Sequence, residues 1–290
     1  PLDDFALASR LSYFLWSTMP DETLLALAQS GELHRPEVLR MQVERMLEHP
    51  KAKSFTENFT GQWLSVREIS ATTPDKALYP EFEELLQWSS VRETHLFFDE
   101  ILKQNLSVEN FVDSDFAMLN GRLATHYGIP DVHGVSFRKV PLKPEFHRGG
   151  VLTQASILKV TANGSTTSPV LRGVWVLDRI LGRPVPPPPP NVPAVEPDIR
   201  GATTIREQLA KHRTEASCAS CHREIDPPGF ALESFDVIGG WREHYRATGT
   251  AREIDGRRVR VWDGPAVDPA DVLPDGRRFA NIDEYKQRLL

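Results

Sequence analysis

Cys218-Ala219-Ser220-Cys221-His222 is the stretch on which the reading of this chain turns, and it holds both of the cysteines present. Residues three and four apart share a face of a helical turn, so two thiols and an imidazole at this spacing converge on one side of the backbone. That convergence matches the attachment pattern of a c-type haem: two thioethers to the porphyrin vinyl groups, and His222 as the proximal iron ligand. Two other uses of the pattern are weaker. A thiol–disulfide switch normally follows a strand at a helix N-terminus in a thioredoxin-like frame, and no such frame surrounds the motif. A closed zinc site wants four ligands, usually in two pairs, and there is no second cysteine pair.

Outward from the motif, Thr203 or Thr204 is placed to cap a helix ending near His212, and Pro228 to Phe235 reads as another short helix. Eight prolines between 184 and 197 exclude regular structure, and the run Pro186 to Pro190 predicts an extended polyproline II strap. Upstream of the strap, a Ser/Thr-rich turn at Asn163 to Ser168 leads into a helix from Pro169 to about Leu181. Downstream, Asp255-Gly256 with the alternating Arg258-Val259-Arg260-Val261-Trp262 predicts a small hairpin. Asn281 and Glu284 form a capping box for a last helix.

The first 130 residues read as successive helices, each with its own apolar stripe: Leu7, Leu11, Phe14 and Leu15; Leu24, Leu25 and Leu27; Leu39, Val43, Met46 and Leu47; Phe55, Phe59, Trp63 and Leu64. The longest is expected from Pro80 to about Lys103, as the spine of the bundle, and a further one carries Leu119, Leu123 and Tyr127. The fold class is therefore mainly α. A helical domain (1–145) is followed by a connector helix and polyproline strap (146–198). A small α-rich, cytochrome c-like haem domain with a minor β-hairpin and the start of a truncated further domain completes the chain (199–290).

Composition narrows the class. The chain has 290 residues, 40% hydrophobic, with a net charge of −6 from interspersed charges, enough for a well-filled core and a poor match to a nucleic-acid binder. No apolar stretch of about 18 residues is present, so no transmembrane segment is expected. Both ends read as cut from a longer precursor, so flanking domains of the same polypeptide are expected. Covalent haem attachment takes place beyond the bacterial inner membrane, which points to a periplasmic or otherwise exported protein. No catalytic triad, phosphate loop or H-E-x-x-H helix occurs.

Several stretches resemble the planctomycete cytochrome c-like domain proteins. Leu2-Asp3-Asp4-Phe5-Ala6-Leu7-Ala8-Ser9-Arg10-Leu11 with Met19-Pro20-Asp21, Gly61-Gln62-Trp63-Leu64 and Leu123-Ala124-Thr125-His126-Tyr127-Gly128-Ile129 is similar to their helical module. Arg148-Gly149-Gly150-Val151-Leu152-Thr153-Gln154, Thr167-Ser168-Pro169-Val170-Leu171-Arg172-Gly173, the cysteine motif and Gly240-Trp241-Arg242 are similar to their cytochrome-like module. The resemblance covers about residues 2 to 245. It implies one covalent haem c and a redox partner protein, and no particular substrate. Thr166 departs from it, standing where an arginine is expected before Thr-Ser-Pro.

By resemblance to c-type cytochromes generally, the carbonyl of Pro227 or Pro228 is the expected acceptor for the second imidazole nitrogen of His222. Phe230, Leu232, Phe235 and Trp241 are expected to wall the porphyrin, each with ordinary core packing as the competing explanation. Arg172, Arg148 and Arg242 are candidate propionate partners because a guanidinium matches a carboxylate in bidentate fashion. All four methionines precede the motif, so a methionine ligand from the same domain is excluded within this chain. That leaves the sixth iron position to His244, to His147, to an open site or to a residue outside this chain; His147, His126 and Met118 reach only from the other half. Single-electron transfer within a larger oxidoreductase assembly is the leading expectation. A peroxidase-like haem enzyme with an open distal face and a binding or scaffold module with a structural C-x-x-C are the alternatives.

Overall fold

A computed structural model describes residues 2–187, 204–212, 216–254 and 257–290. The expected strap beyond residue 187, a cap at Thr203 and the turn pair Asp255-Gly256 lie outside the described residues. The described chain is mainly α-helical, with three two-stranded antiparallel sheets. No described helix is long and apolar enough to cross a membrane. Packing divides the chain into two compact units: Pro1–Trp63 with His95–Leu106, and Leu64–Thr94 with Ser107–Leu290.

The first unit is built from α1 (Asp4–Trp16), α2 (Glu22–Ser30), α3 (Pro36–Glu48), α4 (Lys53–Trp63) and the last turns of α5 (Glu84–Lys103). Local chemistry sets the boundaries. The Asp3 and Asp21 carboxylates accept from the backbone N–H of Ala6 and Leu24 at 2.7 and 3.0 Å, satisfying donors that a helix start leaves orphaned. Gly31, at φ 70°, ends α2 in the left-handed region that glycine enters without steric cost. Ala8, Leu15, Trp16, Leu24, Ala28, Leu33 and Met46 form the core. The Trp16 indole, buried in it, donates to the Met46 carbonyl at 2.9 Å and so leaves no polar atom stranded.

The second unit begins α5 at Glu84, a turn later than the expected start at Pro80. Strands β1 (Phe116–Leu119) and β2 (Arg138–Pro141) pair antiparallel, and α6 (Gly121–Tyr127) follows β1. Leu119 therefore ends a strand and does not open the helix. The reason is Asn120: its backbone is extended and its side chain accepts from Leu123 N–H at 2.9 Å, which fixes the first helical residue at Gly121.

Next come α7 (Ala155–Val160) and α8 (Pro169–Trp175), which widens into a single π turn at Val176–Ile180. A reciprocal Thr204–Glu207 capping box opens α9 (Ile205–His212). Beyond α10 (Ala216–Ala231), β3 (His244–Ile254) and β4 (Arg257–Ala266) form the expected hairpin. Last, β5 (Asp271–Val272) pairs with β6 (Arg278–Phe279), and α11 (Ile282–Leu289) starts at the Asn281 cap. Leu119, Leu123, Ala124, Val140, Ala155, Val237 and Ile238 share one core, so residues on both sides of position 145 pack together in this unit.

Candidate functional site: the cysteine helix and its supports

The motif lies in α10, and the expected separate helix at Pro228 is the continuation of this same element. Pro227 and Pro228 remove the N–H groups that would pair with the carbonyls of Arg223 and Glu224. Both of those residues are exposed, so water can satisfy the two carbonyls and the helix runs on.

At about 100° per residue, Cys218, Cys221 and His222 fall within one arc of about 100° on this helix. Both thiols are free; Cys218 is half-buried and Cys221 exposed. His222 Nδ1 lies 2.8 Å from Oδ1 of Asp226, one turn along, whose side chain is fully buried. The acceptor is thus a carboxylate and not the proline carbonyl expected, because helical carbonyls point along the axis while an i+4 side chain stands beside the ring. With Nδ1 committed, Nε2 is the nitrogen through which the residue would ligate, the arrangement that metal-binding histidines adopt.

Two glycines seat this helix. A Cβ at Gly173 of α8 would stand 1.8 Å from the Ile225 carbonyl oxygen, and one at Gly229 would stand 1.9 Å from that of Pro169. Only hydrogen allows backbones so close. Gly173→Ala is therefore expected to push α8 off α10 and lower stability by about 1–3 kcal/mol, read as a drop in the thermal midpoint; an unchanged midpoint would contradict the close approach. Beside Cys221 lies an open cleft of about 220 Å³, walled by Leu177 of the π turn, Arg183, Val185, Glu224 and Ile225.

The three arginines expected near propionates are all buried, and all grip the chain that follows α10. Arg172 donates through Nη1 to the carbonyls of Leu232 and Phe235 (2.6 and 2.8 Å) and to Glu233 Oε1 (3.1 Å), and through Nη2 to the Asp236 carbonyl (2.9 Å). Arg242 reaches the Glu233 carbonyl and carboxylate, and Arg148 donates to the carbonyls of Thr153 and Gly239. Phe230, Leu232 and Phe235 are core residues. Trp241 is 39% exposed. At the departing position, the Thr166 N–H donates to Asn163 Oδ1 at 2.8 Å and completes the turn.

The candidate distal histidines are placed apart. His244 is exposed at the start of β3, opposite Ala266. His147 stacks on Trp241 with ring centroids 4.2 Å apart and bonds Asp283 at 2.6 Å. His126 is half-buried, its Nε2 2.9 Å from the Ile238 carbonyl, and desolvation pulls its pKa down to about 4, so it stands neutral. Met118 lies in β1. Among the described residues, no group of three or more His, Cys, Asp or Glu side chains could hold a metal ion. An axial haem ligand needs no such group, and the residues on α10 fit the cofactor.

Asp226 and Asp283 were not among the residues expected from sequence. Asp226 carried a legible signal, a carboxylate four residues after the histidine on a helix. Asp283 carried none, being 136 residues from its partner.

Residues 2–129 match the family model described as PSD4, protein of unknown function (DUF1592), and residues 148–245 match PSCyt3, protein of unknown function (DUF1588). No curated protein and no solved structure matches the chain. The chain thus joins, in this order, a segment similar to PSD4 and one similar to PSCyt3, and this pairing supports its resemblance to the planctomycete cytochrome-like domain proteins.

Proposed function

We propose that this is an exported c-type haem protein that passes single electrons to and from redox partner proteins within a larger oxidoreductase assembly. The observation that carries the reading is the single arc of α10 holding two free thiols and an imidazole whose Nδ1 is fixed by buried Asp226. Haem, when bound, supplies a one-electron couple. Cys218 and Cys221 hold the cofactor covalently, and His222 sets its proximal ligation. Asp226, through its hydrogen bond, fixes the imidazole tautomer and makes the ring a stronger donor. One electron enters from a donor protein and one leaves to an acceptor, with no bond made or broken in the chain. In this reading residues 199–290 are the haem-bearing part and 146–198 the connector against it.

Expression in an exporting host with the haem-attachment machinery tests this directly. The expected product has a Soret band, a reduced-minus-oxidised difference and added mass equal to one haem. Cys218→Ala with Cys221→Ala is expected to abolish the added mass, whereas His222→Ala keeps it and alters the spin state. A colourless wild-type product of unmodified mass would refute the proposal. A five-coordinate product reacting rapidly with peroxide would move the assignment to the peroxidase-like alternative.

A further inference from the structure

We propose that Asp226 is the positioning residue that sets the reduction potential of the site, holding it low by placing a fixed negative charge behind the proximal imidazole. The inference rests on the haem reading above and adds what tunes it. His222 Nδ1 lies 2.8 Å from Asp226 Oδ1, and the two side chains keep 12% and none of their exposure. A hydrogen bond to an ionised acceptor is about twice as strong as one between neutral groups, and burial keeps water from screening this one.

The carboxylate is held where it stands. Residues 225–230 are all buried, and their backbone is pressed on α8. A Cβ at Gly173 would stand 1.8 Å from the carbonyl oxygen of Ile225, the residue before Asp226, and one at Gly229 would stand 1.9 Å from that of Pro169. The helix puts position 226 one turn beyond 222, where a short side chain reaches the ring. Burying a carboxylate is costly unless it is paired, and an apolar residue would fill the space without that cost. The charge itself is therefore what this position uses.

Its effect runs through the ring. The Nδ1 proton stays in the bond to Asp226, and Nε2 gains electron density. Ferric iron carries one more positive charge than ferrous iron, so a ring richer in electrons favours the ferric state and lowers the potential. A backbone carbonyl at Nδ1, the acceptor expected from sequence, brings only a partial charge and would leave the couple higher. One electron comes from the donor protein and one goes to the acceptor, and no proton is exchanged.

The test uses haem-loaded protein matured in the exporting host and reads its midpoint potential. Asp226→Asn keeps an acceptor oxygen of the same size and removes the charge. At a fixed applied potential it is expected to shift the ferric-to-ferrous ratio about tenfold toward ferrous, a rise of about 59 mV for one electron. Asp226→Glu restores the charge and is expected to lie closer to wild type than Asp226→Asn does, a ranking by charge that lost packing alone would not give. If neither variant folds, the ligand-free wild type decides. Nitrogen-15 spectra are expected to show His222 as the Nδ1–H tautomer, and the Nε2–H form there would overturn the pairing. A coloured protein whose potential is unchanged or lowered in Asp226→Asn overturns this inference and leaves the haem reading standing. A colourless wild type overturns the haem reading, and this inference with it.

Discussion

Replacing Arg172 by methionine is expected to lower stability by about 3–5 kcal/mol, the range seen when one member of a buried ion pair is removed. Set against a total of about 5–15 kcal/mol for a typical domain, that is enough to leave much of the protein unfolded near body temperature. The guanidinium is fully buried and its two terminal nitrogens make four hydrogen bonds, three of them to carbonyls of residues 232–236. Burial lowers its pKa to about 10, so it remains a cation at neutral pH. Its loss takes one donor from each of those carbonyls, leaving Leu232 and Asp236 with the N–H groups of Phe235 and Gly239, and leaves the Glu233 carboxylate to Arg242, Thr167 and Tyr245. Arg172→Lys is expected to recover only part of the loss, since one ammonium cannot reproduce a planar fork. Urea unfolding measures both; a loss under about 1 kcal/mol for the methionine variant would show that the loop holds itself.

Glu93→Gln is expected to remove a large part of the protein's loss of stability at alkaline pH. The Glu93 carboxyl is fully buried, Tyr127 donates to it at 2.6 Å, and Arg148 lies over the Tyr127 ring at 3.8 Å. Burial raises its pKa from 4.5 to about 8, against the smaller opposing pull of the Tyr127 hydrogen bond and the Arg148 charge. Between those values the native state keeps a proton that the unfolded chain has released, so stability is complete below about 4.5 and declines as pH rises through about 8. The decline is on the order of 4–5 kcal/mol over the window. Glutamine has no proton to lose, so the variant is expected to be no more stable than wild type near pH 5 and clearly more stable near pH 9. Urea midpoints at a series of pH values check this, and parallel profiles for the two proteins would show that Glu93 does not titrate in that range.

Much of this architecture was legible because its determinants are local. Thr204, and Asn281 with Glu284, mark helix starts through bonds closed within four residues, and the structure uses both. The helical turn of the cysteine motif was legible for the same reason, though not the length of the helix around it. What escaped were features set across long chain separations. Arg172 reads as an exposed helix arginine or a propionate partner until the chain some 60 residues later folds its carbonyls around it. The Asp283 contact of His147 and the Tyr127 contact of Glu93 are likewise matters of packing, with no trace in spacing or composition. The merging of the motif's turn and the helix expected at Pro228 into α10 shows the reverse error, in which a local rule about proline was overridden by exposure of the carbonyls it orphans.

The proline pair in α10 has a consequence for how the protein is made. Two rungs of the backbone ladder are missing just downstream of His222, while the far end of the same element, from Ile225 to Ala231, is sunk in the interior. Fraying of the leading turns therefore stops at a built-in tear line and need not propagate into the anchored remainder. In the proposed haem reading, the cysteine turns could peel back locally for attachment and re-zip afterwards, while the buried remainder of the helix stays in place.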